Sequence, residues 1–303
     1  MKYDVIIIGA GVGGMTAALN ALRGGKSCLI LEKENVGGQI ANSPRVENIP
    51  GTKEISGQEF SDKLFEQIDA LGCKFELEDV LEVSKNGNEF IVKTNYNTYE
   101  SLVVIIATGS KHRKIGVPRE DELVGKGISY CAVCDGAFYN GEDVAIIGDA
   151  NTALQYALLQ ANTSPKVYLL TLFNKFFADD ILVKRVLEKK NIIVEHNLNL
   201  IELVGKNEIS SIKLEDTKTH EIKEFNVKCC FICVGQIPDN NRFKNIVDLD
   251  KQGYIIANEL CETKTSGLYA IGDCRVKKMR QVITACSDGA IAAIQATNYI
   301  NSL

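Results

Sequence analysis

Little in this 303-residue chain points towards metal, nucleic acid or membrane. Histidine is scarce: the only three, His112, His196 and His220, lie far from any second cysteine pair, so a four-ligand zinc set is not expected. A basic excess is missing as well. The net charge is −5, whereas general nucleic-acid binding requires a cationic surface. No apolar run reaches the length of a membrane span, and the most apolar stretch, Val5 to Leu19, is interrupted by Gly9, Gly11, Gly13 and Gly14. The start shows neither a cationic n-region nor a small-residue cleavage site, so no export signal is read and a cytoplasmic location is expected. Low-complexity segments and short repeats are absent too. Ten cysteines in a chain of this kind do not form a disulfide framework. Most are expected to fill core space, and a Cys-x-x-Cys pair is either a metal site or a redox site.

What is present reads as a two-domain α/β protein. Composition is that of a globular protein, 45% hydrophobic and 24% charged, and the length exceeds what one core organises. Tyr3 to Ile8 is a short apolar run of the kind a buried parallel strand requires. Met15, Ala18, Leu19 and Leu22 then repeat at helical spacing, and Ser27 to Leu31 is a second buried strand. A second strand–helix–strand copy follows, with Val144 to Ile147, Thr152 to Ala161 and Val167 to Leu170. The apolar strands Val103 to Ile106 and Cys229 to Val234 each run into a turn, and these ends are the expected crossovers. The prediction is two Rossmann-like domains of the three-layer ββα type, the second inserted into the first. The first is built from residues 1–111 and 241–303, and the insert spans 112–240.

Gly9-Ala10-Gly11-Val12-Gly13-Gly14 falls between strand and helix. Gly9 permits the tight turn, Gly11 lets a pyrophosphate approach the backbone, and Gly14 allows close helix–strand packing. The helix N-terminus offers free N–H groups and a positive dipole end to phosphates. Glu32, at the end of the second strand, can accept both hydrogen bonds of a ribose diol. This spacing predicts a dinucleotide site without separating FAD from NAD.

Cys131-Ala132-Val133-Cys134-Asp135-Gly136 is the most informative segment. Two cysteines three apart at a turn or helix start can close a small disulfide ring, and helix N–H groups can lower a thiol pKa. Cys230 and Cys233 share the spacing but lie along an apolar strand, where residues three apart face opposite sides, so they are expected to be core. Cys274 is likewise read as a packing residue.

Taken in order, these motifs resemble the low-molecular-weight thioredoxin reductase family over nearly the whole chain. Gly37-Gly38-Gln39 and Val46-Glu47-Asn48-Ile49-Pro50-Gly51 are similar to that family's loops along the flavin. Ile106-Ala107-Thr108-Gly109 is similar to a second nucleotide-contacting turn. Tyr269-Ala270-Ile271-Gly272-Asp273 resembles the motif whose Asp holds the ribityl chain, and Arg280-Gln281-Val282 resembles the start of a helix aimed at the flavin ring. The Cys131–Asp135 segment departs from the family pattern only at Val133. The resemblance implies FAD as cofactor, Cys131 and Cys134 as the redox pair, and Asp135 as the acid managing a thiol proton. It also implies thioredoxin as substrate, a homodimer, and an inserted domain that swings during turnover.

The second nucleotide unit departs from the family. Where the family has Gly-x-Gly-x-x-Ala, this chain has Gly148-Asp149-Ala150-Asn151-Thr152-Ala153, which puts a Cβ where the pyrophosphate must approach. Where the family has His-Arg-Arg to clamp the 2′-phosphate, this chain has Thr171-Leu172-Phe173, with no cation for NADPH and no acid for NADH. The pattern resembles the ferredoxin-dependent flavin thioredoxin reductases, so reduced ferredoxin is the expected donor. Lys111-His112-Arg113-Lys114 and Arg275-Val276-Lys277-Lys278-Met279-Arg280 are expected docking stretches for that acidic partner. The alternatives are an NADPH- or NADH-dependent thioredoxin reductase and, from another class, a non-catalytic redox-sensing flavoprotein.

Overall fold

Val5 to Ile8 have no polar side chain to offer water, and the chain resolves this by burying them in the middle of a sheet. The computed structural model describes residues 2–43, 46 and 48–303, so Glu47 of the 46–51 loop lies outside the described residues. Strand Lys2–Ile8 pairs in parallel with Cys28–Glu32 on one side and Thr98–Ile106 on the other. Lys74–Leu77 adds outside Cys28–Glu32.

The long strand Thr98–Ile106 serves two partners. Glu89–Thr94 runs antiparallel to its first half, and Leu268–Ala270 runs parallel to its last residues. Val80–Asn86 completes the antiparallel meander. Three layers result. Helices Val12–Arg23 and Val282–Asn301 cover one face with small residues, Ala17, Ala18 and Ala21 meeting Ala292, Ala293 and Ala296 over Val5, Ile7 and Ile105. The meander covers the other face, with Val83, Phe90 and Val92 packed on Ile6, Ile8 and Leu31. Each of these side chains is removed from water, which contributes on the order of 1.5–3 kcal/mol for the larger aliphatic and aromatic ones.

The chain divides into two compact units. One holds the residues up to Lys111 together with Ile237–Leu303, and the other is His112–Gln236. The second unit repeats the plan of the first. Its parallel sheet runs in the order Ile192–Glu195, Val167–Leu170, Val144–Ile147, Cys229–Ile232, Ile128–Ser129. Helices Asn151–Gln160 and Asp180–Glu188 pack on one face, and an antiparallel sheet of Leu198–Val204, Ser211–Asp216 and Ile222–Asn226 on the other. The two connecting strands, Ser110–His112 and Gln236–Pro238, pair as a ribbon. The return crossing lies at Gln236, a few residues before the position 240 expected from sequence, because Gln236–Pro238 is drawn into that ribbon.

Candidate functional site

The first turn is shaped by two glycines that the protein itself demands and one that it does not. Gly9 adopts φ +113°, and a Cβ there would stand 2.4 Å from the Ala107 carbonyl oxygen. A Cβ on Gly14 would stand 2.0 Å from the Gly9 carbonyl oxygen, so only glycine lets this helix rest on its strand. Gly11 is different. It caps helix Val12–Arg23 in an extended conformation, and the nearest atom to its notional Cβ is 4.0 Å away. The space beside it is open, as a phosphate cradle at a helix N-terminus requires. Glu32 is anchored at the strand end, where its carboxylate accepts hydrogen bonds from the N–H groups of Ala10 (2.7 Å), Lys33 (2.9 Å) and Glu34 (2.8 Å).

The other residues expected at this site gather in the same unit. Gly38 opens a short 3-10 helix, Gly38–Asn42, which carries Gln39. The Asn48 amide donates to Gln281 Oε1 at 3.2 Å. The Ala107 N–H is held by the Ile8 carbonyl, and the Thr108 hydroxyl donates to Asn240 Oδ1 at 3.2 Å before Gly109 turns the chain. Asn240 in turn donates to the Gly253 and Cys274 carbonyls, tying the 107–109 turn to the 272–274 turn. Gly272 donates its N–H to Asp288 Oδ2 at 2.9 Å. Gln281 precedes helix Val282–Asn301, and its N–H is capped by the Thr284 hydroxyl.

Three buried side-chain atoms of this unit lack partners among the described residues; one is the Ser101 hydroxyl within a strand, and the other two belong to the residues expected at the site. Asp273 Oδ1 and Arg280 Nε are buried with no hydrogen bond among the described residues, and burial raises the Asp273 carboxyl pKa. The Arg280 guanidinium lies over the Tyr254 ring at 4.2 Å. A buried acceptor and a buried donor without partners cost free energy unless a ligand supplies the missing bonds. With the open cradle at Gly11, they fit a polar, phosphate-bearing group such as FAD. Glycines 9, 11 and 14 with Glu32 would hold its adenosine-pyrophosphate half. Asp273, Arg280 and the Val282 helix start would hold the flavin half.

In the second unit Cys131 and Cys134 are joined by a disulfide, with Cα atoms 5.3 Å apart. Cys131 caps the short helix Ala132–Asp135, and its Sγ accepts the Cys134 N–H at 3.2 Å. Val133 between them is half exposed. Ser129, at the end of its strand, donates its hydroxyl to Asp135 Oδ2 at 2.6 Å and accepts the Cys131 N–H at 3.0 Å. Burial raises the Asp135 pKa and the Ser129 hydrogen bond partly offsets it, so the carboxyl keeps its proton to higher pH than an ordinary aspartate. Tyr130, beside Cys131, donates to Glu120 and stacks on His112.

The decoy cysteines stay apart. Cys230 is fully buried against Leu123 and Ile128, Cys233 packs with the cluster on the opposite face, and both are free thiols. Burial pushes both thiol pKa values well above the usual range. Cys274 is fully buried and donates to the Ile271 and Ile106 carbonyls, a core thiol.

The second glycine turn is closed by its own chain. Ala150 caps helix Asn151–Gln160 in an extended conformation. The Phe177 N–H donates to the Asp149 carbonyl at 2.7 Å. Asn151 and Asp179 exchange two hydrogen bonds, the Asn151 amide donating to Asp179 Oδ2 at 3.0 Å and the Asp179 N–H to Asn151 Oδ1 at 2.8 Å. Thr171 is fully buried, its hydroxyl donating to the Phe173 carbonyl and sharing a hydrogen bond with His196 Nδ1. Phe173 and Phe177 meet edge to face above it, both half exposed.

One expectation needs correction. The run Arg275 to Arg280 is not a continuous basic face. Arg275 grips Asp288 through Nε and Nη2 at 2.8 and 2.9 Å, and Lys277 reaches the same carboxylate at 2.9 Å. These two cations point inward, 11% and 9% exposed, because Asp288 would otherwise be a buried unpaired charge. Of the other stretch, Lys111 pairs with Glu34 and Lys114 with Asp121. Asp288, Ser129, Asn240 and Asp179 were missed from sequence. Only Ser129, two residues before Cys131, and Asp288, an acid inside an apolar helix, carried a local signal.

Comparison with known proteins agrees with this geometry. Residues 3–289 match the pyridine nucleotide-disulphide oxidoreductase family. The chain is 39% identical over 302 residues to a thioredoxin reductase of Bacillus subtilis, covering 99% of this chain and 96% of that one. Among solved structures, a thioredoxin reductase from Streptococcus pyogenes superposes with a TM-score of 0.95 at 35% identity, covering 100% and 99% of the two chains. A ferredoxin-flavin thioredoxin reductase from Clostridium acetobutylicum gives 0.55 at 27% identity, covering 100% and 99%. The chain therefore belongs to the pyridine nucleotide-disulphide oxidoreductases and, within them, to the low-molecular-weight thioredoxin reductases, whose cofactor is FAD.

Proposed function

We propose that the chain reduces the disulfide of thioredoxin, with Cys131 and Cys134 as the exchanging thiols and Asp135 as the acid beside them. The observation that carries this is the disulfide at a helix start next to a buried carboxyl. Bound FAD supplies the two-electron reservoir that the family uses to reduce its own disulfide. Once Cys131 and Cys134 are thiols, one thiolate attacks a sulfur of the thioredoxin disulfide and a mixed disulfide forms as a thioredoxin thiolate leaves. The second enzyme thiolate then attacks its neighbour and restores the Cys131–Cys134 bond. Two electrons pass to thioredoxin, and each departing thiolate takes a proton. Asp135, keeping its proton to higher pH than usual, is placed to supply one and to recover it from the enzyme's thiols.

Two donors have support, from different observations. Whole-chain similarity favours a pyridine nucleotide, since the Bacillus subtilis and Streptococcus pyogenes thioredoxin reductases stand above the Clostridium acetobutylicum ferredoxin-flavin thioredoxin reductase. The second turn favours a one-electron protein donor of the ferredoxin kind. Ala150 stands where the family's second glycine would let a pyrophosphate approach, and Thr171 is buried where a ribose or phosphate clamp would stand. Whole-chain identity averages over every position, whereas a donor site rests on a handful, so the local geometry guides the proposal towards ferredoxin.

Anaerobic mixing of the FAD-loaded protein with reduced ferredoxin, NADPH or NADH, followed at the flavin absorbance with oxidised thioredoxin present, tests both parts. Fast bleaching by ferredoxin alone is expected. Fast bleaching by NADPH or NADH would overturn the donor reading and leave the thioredoxin reading in place. A flavin that is reduced by any donor yet never passes electrons to thioredoxin would instead mark a redox sensor. A homodimer belongs to the same proposal, and sedimentation velocity measures it.

A further inference from the structure

The Ser129 hydroxyl has one proton to give and gives it to Asp135 Oδ2 at 2.6 Å. Its oxygen is meanwhile engaged as acceptor of the Cys131 N–H at 3.0 Å. The other carboxyl oxygen, Asp135 Oδ1, is buried and has no hydrogen-bond partner among the described residues. A carboxyl oxygen that already accepts a hydroxyl proton is the poorer place to carry one of its own, because protonating it would turn two hydrogens towards each other. Ser129 therefore makes the two oxygens of Asp135 unequal.

We propose that Ser129 is a positioning residue for thiol–disulfide exchange: it fixes the Asp135 carboxyl to the Cys131 backbone and directs the transferable proton to Oδ1. This rests on the reading of Cys131 and Cys134 as the exchanging pair. The geometry gives the reason such a residue is useful. Asp135 belongs to the four-residue helix Ala132–Asp135, too short to hold a side chain rigidly by its own packing. Ser129 comes from a different element, the strand Ile128–Ser129, which is hydrogen-bonded in parallel to Cys229–Ile232 in the sheet. The serine thus transfers the rigidity of the sheet to the acid and to the first cysteine together.

Apart from the exchanging thiols of Cys131 and Cys134 themselves, the titratable groups facing Asp135 leave it alone in the range where exchange is measured. They are Tyr139 from the following 3-10 turn, Tyr156 from helix Asn151–Gln160 and Cys229 from the neighbouring strand. All three are pushed up by burial, with the negative Asp135 adding to the effect. None of them ionises near neutral pH. A pH dependence that Asp135→Asn removes therefore belongs to Asp135, directly or through its effect on the two exchanging thiols.

Four variants of the FAD-loaded protein test the role: Ser129→Ala, Ser129→Thr, Asp135→Asn, and Ser129→Ala combined with Asp135→Asn. Thioredoxin reduction is followed from pH 5 to 9, with the donor that the wild type accepts or with dithionite-reduced flavin. Ser129→Ala removes a hydrogen bond that favours the charged carboxyl. The limb of the profile that Asp135→Asn abolishes is expected to move up by about one pH unit. The turnover number should fall about tenfold with KM for thioredoxin unchanged, a fraction of the effect of losing a general acid outright. Ser129→Thr, which keeps the hydroxyl, should recover the wild-type profile. In the Asp135→Asn background Ser129→Ala should have no further effect on turnover, since the two residues act as one unit. An unshifted limb and unchanged turnover in Ser129→Ala would overturn the proposal. So would a loss in Ser129→Ala that persists undiminished in the Asp135→Asn background, which is the mark of a purely structural role. A wild-type protein that never reduces thioredoxin would instead bring down the reading on which this one stands.

Discussion

Replacing Gly11 by alanine separates what the first turn does for the fold from what it does for FAD. Its backbone angles, φ −72° and ψ 176°, are open to any residue, and the nearest atom to the new Cβ is 4.0 Å away. In the apoprotein, the reduced freedom of the unfolded chain gains about 0.4–1 kcal/mol, and the poorer cap loses a similar amount. The melting temperature of the apoprotein should therefore move little. With FAD the same methyl group stands where a phosphate must approach the helix N-terminus. Loss of one charge-assisted hydrogen bond costs about 1.5–3 kcal/mol, which corresponds to roughly a 10- to 150-fold weaker FAD dissociation constant. The assay is titration of FAD-free protein followed by flavin fluorescence, with a thermal melt of the same sample. Gly14→Ala is the contrast. Its Cβ would sit 2.0 Å from a backbone oxygen, so the apoprotein itself should lose about 3 kcal/mol or more. A Gly11→Ala protein that binds FAD as tightly as the wild type, or whose apoprotein melts many degrees lower, would refute the assignment of that open space to a phosphate.

Other outcomes follow from the two units. Cys131→Ser or Cys134→Ser should abolish thioredoxin turnover while leaving FAD bound, whereas Cys230→Ala and Cys233→Ala should keep turnover and cost about 1 kcal/mol each in a denaturation curve. Asp288 is pushed up by burial but held below the ordinary carboxylate range by Arg275 and Lys277. Its contribution to stability is thus complete above the unfolded pKa and is lost as pH falls below about 4 through the lower folded value. Asp288→Asn should reduce stability by about 3 kcal/mol at neutral pH and flatten that acid-side loss in denaturant titrations at several pH values.

The parts of the site that could be read from sequence are those whose reason is local. Gly9 and Gly14 announce themselves because a tight turn and a close helix–strand contact involve residues only a few positions apart. Cys131 and Cys134 do so because one helical turn brings both sulfurs together. The strand pattern of Val5 to Ile8 and Val144 to Ile147 gave the doubled architecture for the same reason. Asp288 stands out as an acid inside an apolar helix, but its role was hidden because its partners are cations on a loop more than ten residues earlier, and charge along a sequence does not say which way a side chain faces. The same blindness turned Arg275 and Lys277 into an expected docking surface. Asp179 was invisible for a related reason. The loss of glycine at Ala150 could be seen, but not that Asp179, 28 residues on, would pair with the Asn151 side chain at the first position of the helix.

A unit assembled from both ends of the chain has a consequence for its synthesis. The inserted unit is complete at Gln236, but the first unit still lacks Leu268–Ala270, the Gly272–Asp273 turn and the helix Val282–Asn301 that carries Asp288. At about 5–20 residues per second the stretch from Gln236 to the end of that helix takes roughly 3–13 s to be made. During that interval the half-sheet around Lys2–Ile8 has apolar faces without their cover, while its neighbour on the nascent polypeptide is able to fold. The interval between the first strand and the helix Val282–Asn301 is thus the vulnerable period of this unit's synthesis, and cofactor capture must wait until that helix has emerged.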